Sequence, residues 1–214
     1  SAVAGSQATR HGIILAKSLP AKAYGVKTGE ASWEAKRKCP GIVLIPPDYP
    51  LYMCCHRALV QLLKDYSDKV QVFSIDECFM EAPGMLMKEE SIRFAHRIRE
   101  HVRQELGFTV SVGVSTNKLL AKMGSELRKP DAVSTLFPPE VEKKMWPLPV
   151  EDLYGVGRAA AAKLHRYEIH TIGDLAGTDV KLLGYLFKSY SRDHGQLLWE
   201  YAHGVEHSDI MTSG

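Results

Sequence analysis

Residues 70–81 read Val70-Gln71-Val72-Phe73-Ser74-Ile75-Asp76-Glu77-Cys78-Phe79-Met80-Glu81. An apolar run, a short acidic stretch and a second apolar run predict strand, tight turn, strand. Two adjacent carboxylates between buried strands repel each other, and something positive must offset that repulsion. A hard divalent cation, normally Mg²⁺, suits such a pair. A solvated hairpin turn, where Asp and Glu are common, is the plainer reading of the pair taken alone.

Working outward, residues 89–106 carry Ile92, Ala95, Ile98, Val102 and Leu106 on one helical face. Residues 51–66 repeat the pattern with Leu51, Cys55, Leu59, Leu62 and Leu63. A strand over 108–114 and a helix over 117–128 follow, the latter closed by Lys129-Pro130. Hairpin, helix, strand, helix is the order of a sheet backed by helices, so an α+β layer is expected. Upstream, Pro20 and Gly25 break the apolar stretches of 13–26. Residues 32–38 read as a short helix capped by Ser32, and Ile42-Val43-Leu44-Ile45 as a buried strand stopped by Pro46-Pro47. The opening Ala2-Val3-Ala4-Gly5 reads as a strand fragment that enters without a lead-in. Downstream of Pro147 the chain is expected to be helical, with Leu182, Leu183, Leu186, Phe187, Leu197, Leu198 and Trp199 as core.

With 214 residues the chain can bury a substantial core in one or two domains. Its net charge of +2 announces no polyanion partner, but the charge is uneven. Between Arg10 and Lys69 ten Lys/Arg face five Asp/Glu, a local excess of +5 that suits phosphate-bearing ligands as well as an ordinary solvated face. Cys39, Cys54, Cys55 and Cys78 form no C-x-x-C pair, which argues against a structural zinc site or a disulfide framework and fits a reducing cytoplasm. No apolar run approaches 18 residues and no signal-peptide pattern opens the chain, so a soluble cytoplasmic protein with no membrane partner is expected. The histidines His56, His96, His101 and His165 lie on helical stretches and are given no role.

Two further motifs carry chemistry. Gly155-Val156-Gly157-Arg158 opens a helix over 159–164, and Thr171-Ile172-Gly173-Asp174-Leu175 follows, the pattern of a helix-hairpin-helix. Its glycines let backbone N–H groups approach a phosphate at a helix N-terminus, a grip on nucleic-acid backbone that reads no sequence. An ordinary αα turn using Gly for positive φ is the alternative. The other motif is Gly113-Val114-Ser115-Thr116-Asn117-Lys118-Leu119-Leu120-Ala121-Lys122, running on to Lys129 in the last turn of its helix. Lys129 suits a triphosphate clamp or, equally, a surface residue that complements the helix dipole.

Taken in order, Ser-Ile-Asp-Glu, Gly-Val-Ser-x-Asn-Lys-x-x-Ala-Lys with its Lys-Pro, and Gly-Val-Gly resemble the Y-family translesion DNA polymerases, the DNA polymerase IV and ImpB/MucB/SamB kind. Residues 21–29, with Trp33-Glu34-Ala35-Lys36 and Cys39-Pro40, are similar to that family's fingers. The resemblance covers essentially the whole chain. It implies partial fingers over 1–48, a ferredoxin-like palm over 49–146 lacking its N-terminal strand, and a helical thumb with a helix-hairpin-helix over 147–214.

It also implies a monomeric DNA-directed DNA polymerase acting in DNA repair on primer-template DNA and dNTP. Two Mg²⁺ ions, held by three carboxylates, would promote in-line attack of a primer 3′-hydroxyl on the dNTP α-phosphate. Asp76 would bridge both ions and Glu77 would hold the one that activates the hydroxyl. Lys129 and Lys22 would contact the triphosphate, and Gly155, Val156, Gly157 and Arg158 would hold DNA phosphates.

The departures carry expectations of their own. The family's first catalytic carboxylate and its steric-gate aromatic lie on a strand upstream of Ser1. Its C-terminal little finger, through which a sliding-clamp contact would come, is also not in this sequence. The chain is therefore expected to be a polymerase fragment, inactive alone. Where the family carries Tyr-x-x-Arg, this chain has Leu19-Pro20-Ala21-Lys22, so the dNTP grip is expected to be weakened or rearranged. From another class comes a non-catalytic DNA-backbone-binding module with a vestigial acidic pair. A scaffold for replication factors has no specific residue in its favour.

Overall fold

A computed structural model of the chain describes residues 1–4, 12–84, 87–191 and 193–211. Two compact units divide it, Ser1–Cys55 and His56–Gly214. Arg10 and Gly5, drawn into the expectations above, lie outside the described residues.

In the first unit, β1 (Ala2–Ala4) lies between antiparallel β2 (Ile14–Lys17) and parallel β3 (Leu44–Ile45). Helices α1 (Leu19–Ala23) and α2 (Ser32–Lys38) accompany the sheet. The buried residues are small: Ala2, Ile14, Ala21, Val26 and Ala35. Expectation and structure part in three places here. Pro20 does not break the chain; it sits in the first turn of α1, where its missing N–H costs nothing, and Ser18 caps the helix by accepting from the Ala21 N–H. Ser32 is not the cap of α2 but its first residue, its hydroxyl donating to the Gly12 carbonyl at 2.8 Å. Glu34 instead reaches back to the Ala31 N–H at 3.3 Å. Finally, β3 is a two-residue strand, and Ile45 within it and Val43 just before it are exposed rather than buried.

Helix α3 (Tyr49–Lys64) crosses into the second unit, where its Leu59, Leu62 and Leu63 are buried. Leu51, expected on that face, is exposed. The expected hairpin forms as β4 (Val70–Val72) and β5 (Cys78–Met80), antiparallel, with Val70 opposite Met80 and Val72 opposite Cys78. Helix α4 (Lys88–Leu106) ends on Gly107 at φ +74°. Its Phe94, Ile98 and Val102 join Leu59, Leu62, Leu63 and Val70 in one core. Burying such a face removes about 1.5–3 kcal/mol of apolar exposure per side chain, which is what holds these helices on the hairpin.

Strand β6 (Val112–Val114) is shorter than expected and pairs in parallel with β7 (Val133–Thr135), a strand the sequence did not announce. Among the described residues, β4–β5 and β6–β7 are separate two-stranded ladders. Between β6 and β7 in sequence runs α5 (Lys118–Glu126), whose N-cap Asn117 accepts from the Leu120 N–H at 2.8 Å. A second core extends from Leu119, Leu120 and Met123 of α5 across Pro147 to Leu198 and Ala202. It includes α6 (Val141–Lys144), α7 (Arg158–His165), α8 (Ile172–Ala176), α9 (Val180–Phe187) and α10 (His194–Ala202). Leu183, Leu186, Phe187 and Leu198 are buried as expected, whereas Leu182 and Leu197 point outward, each one position off the buried face of its helix. No helix among the described residues is long and apolar enough to cross a membrane, and the four cysteines are free thiols.

Candidate active site and nucleic-acid interface

The acidic turn closes tightly. The N–H groups of Phe73 and Ser74 both donate to the Glu77 carbonyl, at 2.9 and 3.1 Å. Ser74 Oγ donates to Asp76 Oδ1 at 2.8 Å, fixing that carboxylate, which is exposed. Glu77 has a stronger neighbour: Lys122 Nζ of α5 lies 2.5 Å from its Oε1. Asp76 also acts on Cys78, two residues on, since burial first and the Asp76 charge second push its thiol pKa up.

Gly113 sets α5 directly against β6. A Cβ there would lie 1.8 Å from the Ala121 carbonyl oxygen and 2.5 Å from the Ser125 nitrogen, so β6 meets the helix backbone directly. Lys118 and Lys122, one helical turn apart, thereby face the hairpin. Lys118 Nζ donates to Gln71 Oε1 of β4 at 3.2 Å and to the Asp209 carbonyl at 2.8 Å.

A cleft of about 850 Å³ gathers these groups. Asp76, Glu77, Lys118, Lys122 and Lys129 all line it, with β5 on one side and β6 on the other. Its floor is apolar, formed by Leu59, Leu63, Ile98 and Val102. Lys129 does not sit in the last turn of α5, as expected, because the helix ends at Glu126 with Leu127 as its C-cap. It is half-exposed and paired with Glu126, yet it opens on the same cleft as the acidic turn.

Two carboxylates at a turn are a fitting oxygen donor set for a hard divalent cation. Among the described residues no group of three or more His, Cys, Asp or Glu that could hold a metal ion is present, so the turn offers two carboxylates.

The hairpin motif lies on the same unit. Gly155 has φ +90°, a conformation that favours glycine. Gly157 is the N-cap of α7, with nothing within 4 Å of where its Cβ would stand. Arg158 is exposed at the first position of that helix. The three residues of Gly-Val-Gly are not equivalent, however. The Val156 N–H donates to the Leu153 carbonyl at 3.0 Å and its side chain is buried, so Val156 anchors the loop while the glycines stay open.

The second half of the motif serves capping and packing. Thr171 Oγ1 accepts from the Asp174 N–H at 3.0 Å, and Asp174 Oδ2 accepts from the N–H groups of Thr171 and His170 at 2.8 and 3.0 Å. Those backbone bonds hold the Asp174 carboxyl below the usual range. At Gly173 a Cβ would come within 3.1 Å of Trp146 Cβ, a close approach that glycine relieves.

Lys22 lies in the first unit, exposed in the last turn of α1, and Leu19 is exposed at that helix's start. Part of the local basic excess is neutralised in place, since Lys38 pairs with Glu30 and Lys69 with Glu81. Lys122 was quoted in the sequence motif without a role. Its signal was its i, i+4 spacing from Lys118, which sets both on the face turned to the acidic hairpin.

The sequence pattern of the impB/mucB/samB family matches residues 1–126, and that of the IMS family HHH motif matches residues 138–169. DNA polymerase IV of Clostridium acetobutylicum is 48% identical over 210 residues, covering 98% of this chain and 52% of that protein. DNA polymerase IV 1 of Bacillus subtilis is 37% identical over 209 residues, covering 98% of this chain and 50% of that protein. Among solved structures, DinB from Sulfolobus solfataricus superposes with a TM-score of 0.83 at 25% identity, over 98% of this chain and 61% of that one. An insertion ternary complex of Dbh DNA polymerase gives 0.81 at 25% identity, with the same coverage. The chain thus spans about half the length of the curated relatives it matches. With a family pattern over more than half its residues and the α+β core of these polymerases, the chain belongs to the impB/mucB/samB family of Y-family DNA polymerases.

Proposed function

We propose that this chain is the catalytic core portion of a DNA-directed DNA polymerase that performs metal-dependent nucleotidyl transfer in translesion synthesis. The observation that carries the reading is the cleft in which Asp76 and Glu77 open beside Lys118, Lys122 and Lys129. Negative oxygen donors for cations and ammonium groups for a triphosphate share one wall-to-wall space, which is what phosphoryl transfer needs from a protein.

On this reading Asp76 would be shared by two Mg²⁺ ions and Glu77 would hold one of them. Bound there, such ions supply a lowered pKa for the attacking primer hydroxyl and neutralise charge on the leaving pyrophosphate. The protein's own residues orient. Ser74 fixes the Asp76 carboxylate, the apolar floor limits water, and Lys129 offers charge to the triphosphate. Gly155, Gly157 and the first N–H groups of α7, with Arg158, would grip a DNA phosphate at the positive end of that helix.

On this reading a third carboxylate completes the site. Strands β5 and β6 each have a single ladder partner among the described residues and border the same cleft, so each has an edge open to a further strand. Fingers over 1–48, palm over 49–146 and thumb over 147–214 remain the proposed division. The 214-residue chain alone is proposed to be inactive, and robust primer extension by it would refute that.

The test is single-nucleotide incorporation on a primed template with Mg²⁺, comparing the full-length parent protein with its Asp76→Ala variant. Activity that vanishes in the variant supports the polymerase. An inactive parent that still binds primer-template DNA transfers the reading to a DNA-backbone-binding module.

A further inference from the structure

The two carboxylates of the acidic turn are treated differently by their surroundings. Asp76 accepts a hydrogen bond from a neutral hydroxyl, Ser74 Oγ, at 2.8 Å. Glu77 instead faces an ammonium, Lys122 Nζ, at 2.5 Å. That ammonium has a second resting place within reach: it lies 5.1 Å from the centroid of the Phe73 ring and 5.8 Å from that of Tyr154. The two rings contact each other edge to face at 5.9 Å and form one aromatic wall. Lys118, the neighbouring cation, is engaged elsewhere, by Gln71 and the Asp209 carbonyl.

We infer that Lys122 is a built-in counter-cation of the acidic turn, holding Glu77 until a divalent ion displaces it onto the Phe73–Tyr154 wall, and that it thereby sets the ion affinity of the site. The inference rests on the metal reading given above. Its physical basis is competition. An ion that reaches for Glu77 meets a positive charge already on the carboxylate, so binding requires the ammonium to withdraw. The aromatic faces make withdrawal inexpensive, because they attract a cation without any negative charge that would follow it. Asp76 carries no such guard, so an ion can engage Asp76 first and recruit Glu77 only when Lys122 leaves.

The geometry also gives the displaced charge a destination with consequences. Tyr154 immediately precedes Gly155, the residue at φ +90° that opens the proposed phosphate-binding loop. Lys122 therefore stands between the acidic turn and that loop, on a helix packed against β6 through Gly113 and tied to the Gly204 carbonyl through Asn117. It is a positioning residue that acts through Glu77.

The test is the binding of Mn²⁺ to the 214-residue chain, followed by the electron paramagnetic resonance signal of free Mn²⁺, for the wild type, Lys122→Met, Lys122→Arg and Asp76→Asn. A dication and an ammonium a few ångström apart in water-like surroundings repel by at least RT ln 10, so Lys122→Met should bind Mn²⁺ about tenfold more tightly. Lys122→Arg, which keeps the charge, should match the wild type, and Asp76→Asn should weaken binding in either background. If Lys122→Met leaves an Asp76-dependent affinity unchanged, the counter-cation role is overturned and the metal reading stands. If Mn²⁺ binding is indifferent to Asp76, both are overturned.

Discussion

Gly113→Ala is the substitution that bears most directly on how the site is assembled. The added Cβ would stand 1.8 Å from the carbonyl oxygen of Ala121 and 2.5 Å from the backbone nitrogen of Ser125. An ordinary carbon–oxygen approach is about 3.3–3.6 Å, so strand and helix must part by about 1.5 Å. Both obstructing atoms are backbone, and no rotamer change relieves them. Overpacking of side chains costs about 1–3 kcal/mol, and a backbone clash belongs at the top of that range. For a chain of this length, 3 kcal/mol corresponds to a fall in Tm of about 6–12 °C.

The same movement carries Lys122 away from Glu77, where contact is now 2.5 Å, so the acidic turn would lose its counter-ion as well as its support. Thermal unfolding followed by circular dichroism reads the first effect, and the urea midpoint provides an independent check. Gly184→Ala is the matched control. It lies inside α9, its Cβ would meet nothing within 4 Å, and alanine there should raise stability by about 0.5–1 kcal/mol. A Gly113→Ala protein with a Tm within 2 °C of wild type would refute the view that direct strand–helix contact builds this site.

Gly157→Ala should fold as the wild type does, since its φ is −80° and its Cβ space is empty, yet bind duplex DNA more weakly in a fluorescence-anisotropy titration; unchanged affinity would count against phosphate binding at that helix end. Glu140 is held at a pKa of about 2: burial opposes its ionisation but is outweighed by the Phe137 N–H, Lys144 and Thr135. Its folded pKa lies below the unfolded one, so its stabilisation is full above the ordinary carboxylate value of about 4.5 and is lost as pH falls toward 2; Glu140→Gln should flatten urea midpoints measured across that window. Leu19→Tyr in the full-length parent should lower the dNTP KM, and an unchanged KM would dismiss the weakened grip inferred at that position.

The sequence made the hairpin legible because alternation and an acidic turn coincide at 70–81, and α4 because its apolar face repeats over nineteen residues. Helix α2 was legible to the residue, but its cap was not, since Ser and Glu near a helix start look alike until their acceptors are known. Strand β7 was hidden by its length: Val133-Ser134-Thr135 has β propensity but offers no period to count. Pro20 was misleading because a proline in a first turn and a proline that ends a helix are the same letter. At the site, Asp76, Glu77 and Lys129 were legible as motif residues, and the cleft does bring them together. Gly173 packs against Trp146, a contact between residues 27 apart in sequence that no local pattern reveals. Lys122 was missed although its spacing from Lys118 put both on one face, since its partners, Phe73 and Glu77 of the acidic turn and Tyr154, lie far from it in sequence.

The central claim is that Asp76 and Glu77 hold divalent cations for nucleotidyl transfer. The most direct measurement is anomalous diffraction from crystals of the full-length parent protein with primer-template DNA, a dNTP and Mn²⁺. The account predicts manganese peaks at about 2.0–2.3 Å from the carboxylate oxygens of Asp76 and Glu77, the coordination distance of hard cations to oxygen. Manganese bound on the dNTP alone, with Glu77 still paired to Lys122, would contradict it.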